Sequence, residues 1–167
     1  QFGDEGDDWF NIMAVSELVA GESYDGGSGI DTFNIHQSVS GFQPIALNTV
    51  TLTGIERLEY GGFTQVQLSA AQLNALIYIG ANVLITGGGT VVLAGKEVTG
   101  GISLTDTATT VDLTGIVSYS GSVVGGAGAD TLIGSALIDS LYGGEGADTI
   151  TGAGGNDYLR GGGGIDS

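Results

Sequence analysis

An all-β fold, a right-handed parallel β-solenoid grading into a β-roll, is predicted by three observations on the sequence. Asp recurs at a fixed interval at positions 130, 139, 148, 157 and 166. Glycine makes up 33 of the 167 residues, with one proline and an apolar fraction of 41%. Short apolar segments separated by Gly, Thr and Asn fill the middle of the chain at a similar spacing.

The period comes first because it is the most specific of the three. The units read Gly125-Gly-Ala-Gly-Ala-Asp130-Thr-Leu-Ile133, Gly134-Ser-Ala-Leu-Ile-Asp139-Ser-Leu-Tyr142 and Gly143-Gly-Glu-Gly-Ala-Asp148-Thr-Ile-Thr151. Gly152-Ala-Gly-Gly-Asn-Asp157-Tyr-Leu-Arg160 and a shorter Gly161-Gly-Gly-Gly-Ile-Asp166-Ser167 follow. A large apolar residue stands two places after Asp in the first four, at Leu132, Leu141, Ile150 and Leu159. Six residues of each unit suit a turn, because glycine accepts backbone angles closed to other residues. The other three suit a short strand whose central side chain points inward. Two units then form one coil, and units two apart stack. Asp130, Asp148 and Asp166 are expected in one column, and Asp139 and Asp157 in the other.

Two isolated copies stand near the N-terminus, Gly3-Asp-Glu-Gly-Asp-Asp8-Trp-Phe10 and Gly26-Gly-Ser-Gly-Ile-Asp31-Thr-Phe33. At all these units the sequence resembles the RTX (repeats-in-toxin) nonapeptide family, which implies a β-roll with Ca²⁺ ions between stacked turns. The metal-binding residues implied are Asp8, Asp31, Asp130, Asp139, Asp148, Asp157 and Asp166. With them go the turn glycines Gly3, Gly6, Gly26, Gly29, Gly125, Gly128, Gly143, Gly146, Gly152, Gly155, Gly161 and Gly164. The physics agrees. Carboxylates stacked at the strand spacing of ~4.8 Å repel by about 3 kcal/mol per pair at an effective dielectric near 20. Ca²⁺ offsets this with six to eight flexible oxygen contacts, whereas Mg²⁺ demands a tight octahedron. Asp148, central in its column, is expected to serve two ions. Ser135 and Leu137 replace motif glycines, so the Asp139 and Asp157 column is expected to be the weaker. Asp4 departs from the motif in the first copy.

Composition narrows the partners. Nineteen acidic against three basic residues give a formal charge of −16, which repels nucleic acid and anionic membrane. The chain has no Cys, so neither a disulfide nor a thiolate metal site is available. One proline and no triplet period exclude collagen. No apolar run approaches the ~18 residues of a membrane span.

The middle repeats the architecture without the acidic turns. Val83-Leu-Ile85, Val91-Val-Leu93, Ile102-Ser-Leu104 and Val111-Asp-Leu113 read as strands of the same solenoid. Residues 69–76 form the best helical stretch, with Ser69 as its cap, and are expected on the surface. Residues 34–49, marked by Gly41 and Pro44, read as an inserted loop. Trp9 and Phe10 read as core. Three regions follow: 1–33 with calcium turns, 34–124 metal-poor, and 125–167 the tandem roll, read together as a section of a longer protein.

No catalytic group is expected. His36 is the only histidine, and no Gly-x-Ser-x-Gly elbow accompanies it. Glu56 and Glu59 beside Arg57 read as a solvated edge, Asp106 and Asp112 as turn and surface residues. The join from Gly26 to Asn34, with Val50-Thr-Leu-Thr-Gly-Ile-Glu-Arg-Leu-Glu59, resembles interrupted RTX segments of bacterial surface-layer proteins and large adhesins. That resemblance implies a secreted, extracellular cell-surface module exported in one step, with neighbouring copies in a surface lattice as partners. Two alternatives are a calcium-stabilised tail of a secreted hydrolase and a β-helical polysaccharide lyase or epimerase.

Overall fold

A computed structural model describes residues 1–36, 43–62 and 64–167. Gly41 of the expected loop lies outside the described residues. Strands pair side by side in parallel along the whole chain, each with the corresponding strand one coil away. Parallel pairing forces the chain to travel round a coil before it returns to the same face, so the fold is a β-solenoid.

Three faces carry it. The first stacks Trp9–Ile12, Thr32–Ile35, Arg57–Tyr60, Tyr78–Gly80, Glu97–Val98 and Ser118–Tyr119. The second runs from Ile45–Ala46 through Val66–Ser69, Val83–Thr86, Ile102–Leu104, Val123–Val124 and Ser140–Glu145 to Tyr158–Gly163. The third holds Gly89–Val92, Thr109–Asp112, Thr131–Ile133 and Thr149–Thr151. A short pair, Ser23–Asp25 with Thr51–Thr53, serves the N-terminal coils. Inter-coil bonds link residues 19 to 25 apart over the N-terminal and middle coils, but 18 apart in the nonapeptide array. The shrinkage has a structural cause: the first face ends at Ser118–Tyr119, and beyond it each coil has two strands. The two-strand coil expected from the period therefore describes the C-terminal array. The middle needs a third side to enclose larger side chains.

Burial follows strand alternation, so side chains two apart point the same way. Val83, Ile85, Val91, Leu93, Ile102, Leu104, Val111 and Leu113 are all buried. In the array only Leu132 and Leu141 are buried hydrophobics; Ile150 packs partly against the core and Leu159 is 46% exposed. Tyr24 sits edge-on between Phe10 and Phe33, with ring centroids 5.9 and 5.0 Å away, and anchors the N-terminal core. Trp9 departs from expectation. It alternates with Phe10 along its strand and points outward, 56% exposed.

The helix spans Ala70–Ala75. Ser69 Oγ accepts the Gln72 amide and Gln72 Oε1 accepts the Ser69 amide, a reciprocal capping box. Its surface placement is corrected, because Ala70 and Leu73 are buried. It packs beside Gly89–Val92, the outermost strand of the third face. There the Asn74 side chain donates to Thr90 O (2.7 Å) and accepts from the Val92 amide (2.8 Å). The helix thus covers an edge that would otherwise present open backbone groups. The loop reading of 34–49 is also corrected at both ends. Thr32–Ile35 continues through Asn34 as a strand, and Ile45 and Leu47 lie in the core.

Candidate metal centre

The aspartates form ladders. Asp148 Oδ1 accepts the Asp130 amide at 2.8 Å, and Asp166 Oδ1 accepts the Asp148 amide at 3.1 Å. On the other edge Asp157 Oδ1 accepts the Asp139 amide at 3.1 Å. The two expected columns are present, held by a device that the spacing alone did not suggest. One oxygen of Asp130, Asp148, Asp157 and Asp166 fastens the coil before it, which also offsets part of the repulsion within the column. Asp148 Oδ1 is thus engaged toward the coil before it, and its Oδ2 carries no hydrogen bond.

That second oxygen is the feature that asks for a partner. Asp130 and Asp148 are buried, and neither Oδ2 accepts a hydrogen bond. A buried unpaired carboxylate oxygen is costly. Burial lifts the Asp130 carboxyl above its ordinary range; the Thr109 amide pulls it back and the Asp148 charge adds to the rise. Other oxygens converge on the same places. A Cβ added at Gly125 would collide with the Gly143 carbonyl oxygen and stand 2.7 Å from Asp130 Oδ2. At Gly143 it would meet Asp148 Oδ2 and lie 2.6 Å from the Gly161 carbonyl. Gly152 and Gly161 bear the same relation to Asp157 and Asp166. Among the described residues no three His, Cys, Asp or Glu side chains gather at one point. The donor set is instead carboxylate oxygens with backbone carbonyls, all hard oxygen, which fits Ca²⁺ and excludes a thiolate or imidazole site.

The second residue of each unit decides whether the carboxylate stays free. Gly27, Gly126, Gly144 and Gly162 have φ between 91 and 114°. Asp4 and Ser135 do not take the left-handed conformation, and their amides donate to their own Asp Oδ2, at 3.1 Å for Asp8 and 2.6 Å for Asp139. Ser135 Oγ adds bonds to both oxygens of Asp139. This is a physical reason to expect weaker ion binding at Asp139. Gly6, Gly29, Gly146, Gly155 and Gly164 are also left-handed, whereas Gly128 is not and packs against the Thr107–Ala108 backbone. At the second position of its unit Ala153 has φ 64°, the single positive-φ residue other than glycine among the described residues. The left-handed region costs a residue with a Cβ about 1–2 kcal/mol. Ala153→Gly is expected to stabilise the array by about 1 kcal/mol, raising its calcium-loaded melting temperature by about 2–4 °C. An unchanged or lower midpoint would contradict the assigned turn.

The N-terminal copies build the same turn. A Cβ at Gly3 would lie 2.5 Å from Asp8 Oδ2, and one at Gly26 2.5 Å from Asp31 Oδ2. Asp31 Oδ1 accepts the Asp8 amide at 2.7 Å, and Glu56 Oε2 accepts the Asp31 amide at 2.9 Å. Glu56 is thus a member of the column, and its reading as a solvated edge is corrected. The signal was in the sequence: Glu56-Arg-Leu58 keeps the phase of Asp8-Trp-Phe10 and Asp31-Thr-Phe33. The register Trp9, Thr32, Arg57, Tyr78, Glu97 continues the file one residue earlier, through Ile77 to Lys96. Lys96 is buried, and its ammonium donates to the Asn74 carbonyl (2.8 Å) and the Leu76 carbonyl. Burial lowers its pKa.

The remaining candidates lie apart. Glu59 pairs with Arg57 at 3.1 Å, and that guanidinium stacks 4.1 Å over Tyr78. His36 Nε2 lies 2.8 Å from Asn11 Oδ1, and Asp112 Oδ1 accepts the Thr114 amide within a turn.

Comparison with known families agrees with the geometry. The RTX calcium-binding nonapeptide repeat matches in four copies, over residues 120–136 and 133–167. No curated protein matches the chain. No solved structure matches it either.

Proposed function

Residues 120–167 being RTX calcium-binding repeats set in a β-solenoid, we propose that the chain is a calcium-binding structural module of a secreted bacterial surface protein. It folds and stiffens outside the cell, where calcium is abundant, and has no catalytic chemistry of its own. The observation that carries this reading is the pair of buried, unpartnered oxygens on Asp130 and Asp148, each beside a carbonyl from the next coil. Asp130, Asp148 and Asp166 with the carbonyls of Gly143 and Gly161 would hold ions along one edge, Asp157 on the other.

When bound, Ca²⁺ supplies positive charge and oxygen coordination between coils. The chain's own part is to present the oxygens. Left-handed glycines turn amides away, Oδ1 bonds fix the carboxylates, and the thin apolar row holds the strands in register. At the affinities of extracellular modules, ~10⁻⁴–10⁻³ M, the same sequence stays loose in a calcium-poor cytosol and orders outside. Export in an unfolded form and rigidity at the surface, including packing against neighbouring copies, are compatible with that switch. Among the described residues no helix is long and apolar enough to cross a membrane.

The test is thermal. Adding a chelator is expected to lower both the β-sheet circular dichroism and the melting temperature, Ca²⁺ to restore them, and Mg²⁺ to restore little. A melt unchanged by chelation and dialysis would sink the proposal.

A further inference from the structure

We propose that the outer side of the C-terminal strands carries a binding site for a neutral sugar residue, in a groove of about 470 Å³ beside Tyr142, Glu145 and Arg160. A volume of that order holds a small ligand. The floor of the groove is bare backbone, where Gly126, Gly144 and Gly162 stack coil upon coil. It is separate from the aspartate columns. Leu141 and Gly143 are buried, Tyr142 alternates with them and points outward, and the free oxygen of Asp148 lies on the Gly143 side.

Three observations select the ligand. The first is a free cation. Of the three basic residues in the chain, Arg57 pairs with Glu59 and Lys96 is buried. Arg160 is exposed, and its side chain has neither an ion pair nor a hydrogen bond among the described residues. The second is an equally free acid: Glu145 is exposed, lines the same groove, and its carboxylate has no partner there either. The third is aromatic. Tyr142 lies across the ladder from Arg160, and its ring meets that of Tyr158 with centroids 5.5 Å apart and planes at 45°. Tyr158 is itself 57% exposed. An anionic ligand is opposed by Glu145 and by the charge of −16, and a cationic one by Arg160. An apolar ligand would strip water from both charges. A neutral sugar avoids all three costs. Its hydroxyls accept from the guanidinium and donate to the carboxylate, while the C–H face of its ring covers a tyrosine.

The site needs the array folded, whatever holds it, so binding is read in excess Ca²⁺ with circular dichroism of each variant as the check on folding. The whole chain is run in native gels containing dextran, laminarin, galactomannan or, as the acidic control, dextran sulfate. At least one of the three neutral polymers is expected to retard it, and dextran sulfate not to. Tyr142→Ala is expected to weaken the retardation about tenfold. Arg160→Gln and Glu145→Gln, both at exposed positions that leave the fold untouched, are expected to weaken it about fivefold each. Arg57→Gln, on another face, is expected to leave it unchanged. Retardation by dextran sulfate alone, retardation by no neutral polymer, or retardation indifferent to Tyr142→Ala, Arg160→Gln and Glu145→Gln together would overturn the site, whatever the chelator melt shows of calcium.

Discussion

In excess chelator, amide hydrogen exchange becomes rapid across Leu132 to Leu159 while Val83 to Leu104 keeps substantial protection. The expectation follows from where each region finds its cohesion. The middle coils bury several aliphatic side chains each, on three faces. Each fully buried one contributes about 1.5–3 kcal/mol. In the array the inward row is fully buried only at Leu132 and Leu141, while the buried remainder includes the carboxylates of Asp130, Asp139 and Asp148. Ordering backbone costs about 1–2 kcal/mol per residue in either place, and the narrow two-strand coil cannot meet that cost from apolar burial. Loss of the ion then opens the array as a local unit. Simultaneous loss of protection in both regions would make the solenoid one cooperative unit. Protection that survived chelation in the array alone would remove the argument for calcium.

Asp148→Ala is the substitution expected to cost most calcium. It deletes a buried free oxygen at the Gly143–Gly161 gap and releases the Asp130 amide at the same time. By calorimetry the variant should bind about one ion fewer, with weaker binding at the neighbouring gap. Asp139→Ala should cost less, because Ser135 already occupies both oxygens of that carboxylate. Asp112→Ala should cost nothing. Equal losses from Asp148→Ala and Asp139→Ala would show that the second residue of a unit does not govern access to its aspartate.

The period of nine made the strand direction, the two Asp columns and the phase of Leu132 and Leu141 legible, because an inward side chain and a stacked turn both repeat with the coil. What the sequence hid was set by tertiary geometry. The third face depends on how three unlike turns close around Ile79, Val83 and Val91, and no local pattern records that closure. The helix signal at Ser69 and Gln72 was clear, but its burial was not, since Leu73 finds its neighbours across the coil. Glu56 was missed because its frame of glycines is absent, although its spacing to Leu58 is that of Asp31 to Phe33. The role of Ser135 was readable as a departure from the motif. Only the hydrogen bonds show that it satisfies the carboxylate an ion would otherwise meet.

Lys96 gives the N-terminal file a property that the rest of the acidic turns lack. Lys96 stands two coils beyond Glu56 in the same file, and its ammonium meets the Asn74 and Leu76 carbonyls of the coil between them. A bound ion stabilises by mass action, with a contribution that rises and falls with its free concentration. A side-chain cation, while it stays protonated, is present at one equivalent per chain at any dilution, and no chelator can remove it. On the proposed calcium reading, the coils around Lys96 would carry their cation before any ion reached the acidic turns.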